Sequence, residues 1–371
     1  MSARLAAARR VVVKIGSALL VEDQDGRIRR SWLNALADDV AHLRKRGCEV
    51  VIVTSGAIAI GRRLLGLKDG TLRLEESQAA AASGQIRLAH AYQDALAHHE
   101  IGVAQLLLTL SDTEDRRRYL NALNTLNTLI RLGAVPVVNE NDTVATGEIR
   151  FGDNDRLAAR VAMMSSADVL VLLSDIDGLY DRDPRNDDAA VMIPEVREIT
   201  PAVEAMAGKL RPGDSSGGMK TKLMAAKIAT QAGCHMAIAD GRIDHPLRAI
   251  LDGNACTWFV AQDNPTTARK RWIAGSIKPA GAITVDAGAL AALGQGRSLL
   301  PAGVTGIDGC FERGDAVVVK GPDGSEIGRG LVAYSCTDAR TIAGHKSGDI
   351  ERLLGYRRRE ELIHRDDLVM S

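Results

Sequence analysis

Short apolar segments alternate with amphipathic segments from residue 11 to about residue 261, and this alternation constrains the fold more than any other feature of the chain. Apolar runs of strand length that are each followed by a helical pattern are typical of a parallel sheet covered by helices on both faces. The pattern predicts strands at 11–15, 49–53, 102–108, 134–138, 168–173, 234–239 and 257–260. It predicts a helix that Ser31 caps and that stops at Gly47, and further helices near 76–98, 115–131, 154–166, 219–232 and 245–252. We therefore expect an α/β fold with a mostly parallel sheet sandwiched between helices and with ligands at the carboxyl ends of the strands.

The character of the chain changes after residue 262. Residues 263–267 have the composition of a linker, and short β-rich runs with turn signals follow from residue 283. A chain of 371 residues is long enough for two domains. We predict a first domain at 1–262, a linker at 263–279 and a small β-rich domain at 280–371.

Charge and cysteine content narrow the class of protein. Lysine plus arginine equals aspartate plus glutamate at 47 each, so no overall field attracts nucleic acid or an acidic membrane, and a small-molecule ligand is favoured. The five cysteines are odd in number, widely spaced and without CxxC pairing, which favours reduced thiols in a cytoplasmic protein. The N-terminal segment lacks the apolar core of a secretory signal, and no stretch approaches the ~20 apolar residues of a membrane span.

The segment 139–155 contains five carboxylates and three asparagines directly after the apolar run 134–138. Carboxylates this close together repel one another and raise one another's pKa unless a cation joins them. That cation would be a metal ion, a lysine from elsewhere in the chain or a substrate ammonium group. A solvated acidic turn is the simpler alternative, but the position after a buried strand favours a functional site.

Two other strand ends carry candidate anion sites. Lys14 is followed by Gly16, whose backbone allows N–H groups to approach an anion, so this strand end is a candidate phosphate site. The alternative is a solvated lysine. Ser55 follows the second predicted strand and precedes a helix, so its hydroxyl and the neighbouring N–H groups suit a carboxylate or a phosphate. The alternative is an ordinary helix N-cap.

A glycine-rich segment that opens a predicted helix resembles a Walker A loop. It is not one, because Met219 stands where that motif requires lysine and no strand leads into it. Gly217 and Gly218 still suit a phosphate chain, and Lys220 or Lys222 would supply positive charge to the γ-phosphoryl group. A flexible loop before a solvated basic helix is the alternative.

The strand predicted at 168–173 ends in Ser174 and Asp175, where a nucleotide is able to dock, although a turn built on aspartates explains the same residues. None of the eight histidines falls in the acidic segment 139–155 or in the four candidate loops that contain Lys14, Ser55, Ser174 and Gly217. General-base catalysis on an alcohol and metal-dependent hydrolysis usually recruit histidine. A carboxylate nucleophile needs no base, because its pKa near ~4.3 leaves it ionised at neutral pH. The residues therefore favour phosphoryl transfer to a carboxylate.

Five ordered motifs resemble the glutamate 5-kinase family of the amino acid kinase superfamily. They are VKIGS at 13–17, VTSGAIA at 53–59, VNENDTVA at 138–145, GDND at 152–155 and GGMKTK at 217–222. Residues 299–304, 311–315 and 328–331 resemble the PUA domain of bacterial members of that family. The resemblance implies an amino acid kinase fold followed by a PUA domain. It also implies phosphorylation of the γ-carboxylate of L-glutamate by ATP, with Mg²⁺ carried by ATP, as the first step of proline synthesis. Inhibition by proline and assembly into a homo-oligomer are further implications.

The resemblance implies roles for individual residues. The catalytic positions are Lys14, Lys222, Asp155 and Asp153, with the two aspartates organising the lysines or the magnesium. The glutamate-binding positions are Ser55, Asp142 and Asn154. The ATP-binding positions are Lys14, Ser174, Asp175, Ser216, Gly217, Gly218, Met219, Lys220, Thr221 and Lys222. No residue is assigned as a direct metal ligand. The chain departs from the family pattern at Ser215, where the family has glycine, and at Ser174, where it has threonine.

Two classes of alternative function stay open at this point. Other kinases of the superfamily act on aspartate, N-acetylglutamate, carbamate or uridylate and share the sheet and the lysines. If Asp142 faces the substrate amine, it favours a free ammonium group over an acylated one, which would leave the aspartate charge unpaired. The second class is an RNA-binding protein, since PUA domains elsewhere bind RNA. Balanced charge and basic clusters without interleaved aromatic residues argue against RNA.

Overall fold

The structure is a computed structural model that describes residues 2–22, 26–68, 70–144, 154–208, 218–275, 279–356 and 359–370. The chain divides into two compact units, Met1–Pro265 and Thr266–Ser371. The predicted division into 1–262, 263–279 and 280–371 stays a prediction, but the middle segment contains an α-helix, Pro265–Gly275.

Strands and helices alternate along the first unit. Its strands are β1 (Arg10–Ile15), β2 (Glu49–Thr54), β3 (Val103–Leu108), β4 (Val135–Glu140), β5 (Val169–Ser174), β6 (Leu179–Tyr180), β7 (Met192–Ile193), β8 (Glu195–Val196), β9 (His235–Asp240) and β10 (Thr257–Phe259). Its helices are α1 (Ser2–Ala7), α2 (Ser17–Leu20), α3 (Arg30–Lys45), α4 (Ala57–Leu64), α5 (Leu74–Ala97), α6 (Leu110–Glu114), α7 (Arg116–Arg131), α8 (Asn154–Ser165), α9 (Pro201–Met206), α10 (Met219–Gln231) and α11 (Pro246–Leu251).

The main sheet of the first unit has the strand order β3-β4-β2-β1-β5-β9-β10-β8. Every neighbouring pair in it is parallel except β9 and β10, which are antiparallel. The sequence-based prediction of a mostly parallel sheet is therefore confirmed. Because β1 lies between β2 and β5, Ile15 is paired with Thr54 on one side and with Leu173 on the other, and the carboxyl ends of these three strands meet at one edge.

Both faces of the sheet are buried, as continuous apolar strands require. Side chains alternate between the faces along a strand, so that Val11, Val13 and Ile15 join one core cluster while Val12 joins the other. The first cluster includes apolar residues of α3, α5 and α11, and the second includes residues of α8 and α10. Lys14 shares its parity with Val12 and therefore belongs to the face that α8 and α10 cover.

Both ends of each long predicted strand and helix lie within two residues of the predicted positions. One predicted helix cap is wrong. Ser31 is the second residue of α3 rather than its cap, and the N-cap is Arg29, which makes no capping hydrogen bond through its side chain. The serine signal failed because the helix begins two residues further toward the N-terminus than a cap at Ser31 predicts. The short strands β6, β7 and β8 were not predicted, since two-residue strands carry no measurable periodicity.

The second unit is a small mixed domain around its own core. After α12 (Pro265–Gly275), it contains β11 (Gly281–Val285), α13 (Ala287–Gly294), β12 (Val304–Gly309), β13 (Ala316–Lys320), β14 (Glu326–Leu331), α14 (Cys336–Ile342), α15 (Ile350–Leu354) and β15 (Leu368–Met370). Its sheet has the order β12-β11-β13-β14-β15, and only the β11/β13 pair is parallel. Helix α12 packs on this unit through Ile273, which contacts Ala316 and Leu331.

Helices α4 and α5 cross with their backbones in contact. A β-carbon built on Gly61 would lie 1.7 Å from the carbonyl oxygen of Ala80, and one built on Gly84 would lie 1.8 Å from the carbonyl oxygen of Ala57. The alanine-rich run 78–83, which predicts a closely packed helix, supplies part of this crossing. Because only two residues separate the end of β2 from the start of α4 at Ala57, the crossing fixes the position of the chain at that strand end.

No helix within the described ranges combines the length and the apolar character that crossing a bilayer requires.

We expect Gly61→Ala to destabilise the first unit, because the added methyl group forces two backbones apart. Overpacking of a close contact costs about 1–3 kcal/mol, which outweighs the gain in helix propensity of about 0.5–1 kcal/mol. The measurement is urea unfolding monitored by circular dichroism. Gly102→Ala is the matched control in the same unit, since a β-carbon added to Gly102 would meet no atom within 4 Å. Equal stability of the two variants would contradict the close crossing.

Candidate active site

A cavity of about 730 Å³ lies at the sheet edge where β1, β2 and β5 end. Residues at the ends of those strands, in the turn after β4 and in the first turns of α8 and α10 line it. Seven of the predicted site residues are among them: Lys14, Ser55, Asp142, Asn154, Ser174, Asp175 and Lys222. These residues come from segments up to about 200 positions apart in the sequence, and the fold brings them to one opening.

A buried carboxylate joins the two predicted lysines. The Nζ atom of Lys14 lies 2.7 Å from Oδ1 of Asp155, and Nζ of Lys222 lies 3.2 Å from Oδ2 of the same residue. The hydroxyl of Thr221 donates a further hydrogen bond of 2.9 Å to Oδ2. Asp155 is 0 % exposed, and the two lysines are 7 % and 5 % exposed. Both carboxylate oxygens are thus engaged by protein groups, and Asp155 acts as a holder of the two lysines.

Burial and charge act in opposite directions on the pKa values of this cluster. Burial acts to raise the pKa of Asp155, but the charges of Lys14 and Lys222 and the hydrogen bonds outweigh it and leave the pKa below its usual value. Burial lowers the pKa of Lys222, and the charge of Asp155 opposes that shift. With two ammonium groups and one carboxylate, the cluster has a net positive charge at the cavity and suits an anionic ligand.

Local structure explains why Asp155 and Lys222 meet Lys14. Asp155 is the second residue of α8, where a negative charge interacts favourably with the helix dipole. Lys222 lies in the first turn of α10, and apolar residues of both helices belong to the same core cluster on one face of the sheet. Lys14 is on that face by the alternation of side chains in β1, so that the three charges converge beneath the strand ends.

A row of buried amides lies beside the charged cluster. Asn154 donates through Nδ2 to the Thr54 carbonyl at 2.8 Å, to the Ser55 hydroxyl at 2.7 Å and to Oδ1 of Asn139 at 3.1 Å. Asn139 in turn donates through its own Nδ2 to Oε1 of Gln85 at 2.7 Å. Within the described residues, Oδ1 of Asn154 has no hydrogen-bond partner and is left as an acceptor.

Asn139 and Gln85 were not predicted as site residues. Asn139 belongs to the acidic segment but carried no assigned role, and it is 2 % exposed at the carboxyl end of β4. Gln85 lies on α5 among alanines and glycine, and it is 9 % exposed. A polar residue on the buried face of an otherwise small-residue helix was the available signal, because a buried amide needs hydrogen-bond partners.

The simpler interpretation of Ser55 as an N-cap is wrong. The N-cap of α4 is Gly56, which has a φ of 106° in the left-handed region that glycine adopts readily. No side chain caps this helix end, and Gly56 and Ala57 line the cavity. The start of α4 therefore offers backbone N–H groups to an anion, while the Ser55 hydroxyl accepts the hydrogen bond from Asn154.

Asp142 differs from Asp155 in its surroundings. It lies in the turn after β4 and lines the cavity, and burial raises its pKa to about 6. A carboxylate with a raised pKa in a partly closed cavity suits a cationic partner that the ligand brings, since an opposite charge restores the ionised form.

Some of the predicted ATP-binding residues line the cavity and others do not. Ser174 is buried at the end of β5, and its hydroxyl donates to Oδ1 of Asp175 at 3.0 Å. Gly218 is the N-cap of α10. Met219 packs against the core cluster on the face of the sheet that α8 and α10 cover. Lys220 is exposed and does not line the cavity.

Three predicted site residues, Asp153, Ser216 and Gly217, lie outside the described residues. In the ranges that the structure does describe, no group of three or more histidine, cysteine, aspartate or glutamate side chains is arranged to hold a metal ion. The described lining of the cavity includes no histidine or cysteine. The arrangement therefore supplies fixed positive charge and a separate acidic group, and it is suited to joining two anionic reactants of which one also has a cationic group.

Comparisons with known proteins agree with the geometry. The family model for the amino acid kinase family matches residues 9–240, and the model for the PUA domain matches residues 281–354. The chain is 65 % identical over 367 residues to a glutamate 5-kinase of Paramagnetospirillum magneticum, covering 99 % of each chain. It is 61 % identical over 363 residues to a glutamate 5-kinase of Rhodopseudomonas palustris, covering 98 % of this chain and 96 % of the relative.

Among solved structures, carbamate kinase from Giardia lamblia bound to AMP-PNP matches with a TM-score of 0.50 and 16 % identity. The match covers 71 % of this chain and all of that one, and at this identity it shows the shared fold alone. The matched family model, the full-length relatives and the mostly parallel sheet agree with one another. The chain belongs to the glutamate 5-kinases of the amino acid kinase family and has a C-terminal PUA domain.

Proposed function

We propose that this enzyme transfers the γ-phosphoryl group of ATP to the γ-carboxylate of L-glutamate, forming L-glutamyl 5-phosphate and ADP, which is the first step of proline synthesis. The observation that carries the proposal is the pair of lysines that Asp155 holds at the cavity, with Asp142 in the same lining. The full-length relatives named glutamate 5-kinase support the choice of substrates.

The transfer step needs positive charge more than it needs a base. A γ-carboxylate oxygen of glutamate attacks the γ-phosphorus of ATP, and the bond between that phosphorus and the bridging oxygen breaks as ADP leaves. The attacking group is already ionised at neutral pH because its pKa is near ~4.3. Lys14 and Lys222 offset the negative charge of the two reactants, which would otherwise repel each other, and Asp155 fixes the direction of both ammonium groups.

Glutamate recognition rests on the acidic and amide residues. Asp142 would pair with the ammonium group of the substrate, and this pairing disfavours N-acetylglutamate, which has no positive charge to offer. Ser55 and Asn154 would contact the glutamate chain, with the unpartnered Oδ1 of Asn154 as an acceptor and the start of α4 as a set of donors to a carboxylate. The distance from Asp142 to the lysine pair would then select the length of the substrate side chain. Aspartate is disfavoured because its side chain is one methylene group shorter than that of glutamate.

ATP would bind on the side of the two lysines that faces away from the proposed glutamate contacts. Ser174, Asp175 and the loop from Ser216 to Lys222 are proposed as its contacts, together with Lys14. Magnesium would enter with ATP as part of the nucleotide substrate. Asp153 is proposed to help organise the lysines or that magnesium.

Four expectations stay predictions: inhibition by proline, homo-oligomeric assembly, a cytoplasmic location and the lack of RNA binding by the PUA domain. An RNA-binding role alone would leave the lysine cluster of the first unit without a function.

The direct test supplies ATP, magnesium and one carboxylic acid at a time in the presence of hydroxylamine, which traps an acyl phosphate as a hydroxamate. Glutamate should give a strong signal, and aspartate and N-acetylglutamate should give little. A larger signal with either of those two acids would reject the proposed substrate.

Lys222→Ala should lower kcat by roughly 10²–10³, because a charge directed at the migrating phosphoryl group stabilises mainly the transition state; the loss corresponds to about 2.7–4 kcal/mol. The KM for glutamate should change far less. Lys227→Ala is the matched control, since Lys227 lies on the same helix and does not line the cavity. Steady-state kinetics on variants with unchanged circular dichroism measure the effect. If the two variants have equal kcat values, Lys222 has no part in the transfer step.

Asp142→Asn should raise the KM for glutamate by roughly 10- to 150-fold and leave the KM for ATP nearly unchanged, because a charge-assisted hydrogen bond is worth about 1.5–3 kcal/mol. Asp142 becomes protonated as the pH falls through its pKa of about 6, so kcat/KM for glutamate should fall about fourfold between pH 8 and pH 5.5. The variant should lose this pH dependence.

The measurement is kcat/KM for glutamate between about pH 5.5 and 8 at saturating ATP, a range in which the substrate γ-carboxylate stays ionised. Thr143→Ala is the control, because Thr143 is exposed in the same turn and does not line the cavity. A normal KM for glutamate with an altered magnesium requirement would assign Asp142 to the metal and remove the argument for a free amine.

A further inference from the structure

Two thiols of the second unit lie close together, far along the sequence from the candidate active site. Cys310 follows the last residue of β12, and Cys336 is the first residue of α14. Their Sγ atoms are 3.6 Å apart, although the residues are 26 positions apart in the sequence. A disulfide has an S–S length of about 2.05 Å, so the two sulfur atoms need to approach by about 1.5 Å to form one. Cys310 is exposed, which gives small oxidants access to the pair, and Cys336 is buried beneath it.

The backbone around the pair is already held in place. The N–H of Cys336 donates to the carbonyl of Phe311 at 2.8 Å. One turn later in α14, the guanidinium of Arg340 donates to the carbonyl of Gly309 at 2.7 Å. These two hydrogen bonds flank the thiols and join the end of β12 to the start of α14. Rotation of the two cysteine side chains is then the main movement that S–S bond formation requires.

The surroundings favour a reactive thiolate at Cys336. A hydrogen bond with the backbone of Phe311 is the largest influence on the pKa of Cys336 and lowers it. Hydrogen bonds with Cys310 and Thr337 and the charge of Arg340 also lower this pKa, and together these effects outweigh burial, which raises it. The thiolate is the form of cysteine that reacts with peroxides, so a lowered pKa increases the reactive fraction at neutral pH.

The other three cysteines contrast with this pair. Cys48, Cys234 and Cys256 are buried in the first unit. Burial raises the pKa of each of them, that of Cys48 to about 11. Their raised pKa values keep them protonated at neutral pH, and they serve as internal references for selective oxidation.

We propose that Cys310 and Cys336 are a reversible oxidation site, at which hydrogen peroxide converts the two thiols to an intramolecular disulfide. The Cys336 thiolate attacks one peroxide oxygen, the O–O bond breaks, and a sulfenic acid and hydroxide form. The Cys310 thiol then gives up its proton and attacks the sulfenic sulfur, and the S–O bond breaks as water leaves. In total, two thiols lose two electrons and two protons, and one peroxide becomes two waters. A dithiol reductant reverses the change by thiol–disulfide exchange.

The crosslink would close a loop that contains β13 and β14, two neighbouring strands of the second sheet. In the chain-entropy account, a loop of this size lowers the unfolding equilibrium constant by roughly 10²-fold or more. Oxidation should therefore raise the melting temperature of the second unit by on the order of 10 °C. Cytosolic disulfides are mostly transient or redox-sensing, which agrees with a pair at the surface.

The test treats the full-length protein with a small excess of hydrogen peroxide, alkylates the remaining thiols and maps the peptides without reduction. We expect one crosslinked peptide pair containing Cys310 and Cys336, an intact mass lower by two hydrogen atoms, and full reversal by dithiothreitol. The thermal transition of the second unit should move up after oxidation and return after reduction.

Cys310→Ser and Cys336→Ser should each abolish the crosslink and the thermal shift, and Cys256→Ser, which removes a buried thiol of the first unit, should keep both. The circular dichroism spectra of the serine variants check that they fold. The proposal is overturned if peroxide leaves both thiols free, oxidises one of them to sulfinic acid without a crosslink, or joins Cys310 residues of two separate chains. It is independent of the proposed activity, because none of these measurements uses the kinase reaction.

Discussion

The ion cluster of Lys14, Asp155 and Lys222 is the interaction on which the arrangement of the first unit depends. The two ammonium groups that contact Asp155 repel each other, and the fully buried carboxylate between them offsets the cost of burying their charges. Removing one partner of a buried ion pair typically costs about 3–5 kcal/mol, because the remaining charge is left uncompensated. Strand β1, helix α8 and helix α10 must therefore keep one relative position.

Two aspartates of the same acidic segment show how environment divides their roles. Asp155 is held ionised by the lysines, with its pKa lowered despite full burial. For Asp142, thirteen residues earlier, burial is the cause of the shift, and the pKa is raised to about 6. The first aspartate is therefore a permanent counter-ion of the protein, whereas the second is the one that we propose pairs with the substrate ammonium group. The sequence-based argument that so many acids require cations is met at Asp155 by the two lysines.

The fold was predictable because its sheet is buried on both faces. Continuous apolar runs such as those of β1 and β5 leave few alternatives, and the carboxyl ends of parallel strands converge, so residues at those ends were found from sequence. Contacts between distant segments were not predictable from sequence alone. The residue pattern left Lys220 and Lys222 open and only the family resemblance chose Lys222, because the choice depends on which face of α10 meets α8. The hydrogen bond from Asn139 to Gln85 depends on where α5 packs against the sheet. The cysteine pair was likewise hidden, since spacing along the chain says nothing about the return of α14 to the end of β12.

The glycine contact between α4 and α5 completes a closed ring of contacts beside the cavity. From Ser55 the ring runs through Asn154 and Asn139 to Gln85, which is the neighbour of Gly84, and from there back through α4 to Ser55. Neighbouring contacts in such a ring share partners, so the loss of one contact already removes part of what a second substitution would remove. Substitutions at two members should consequently be less harmful together than the sum of their separate effects, and sequence drift at these positions should proceed in correlated steps rather than one residue at a time.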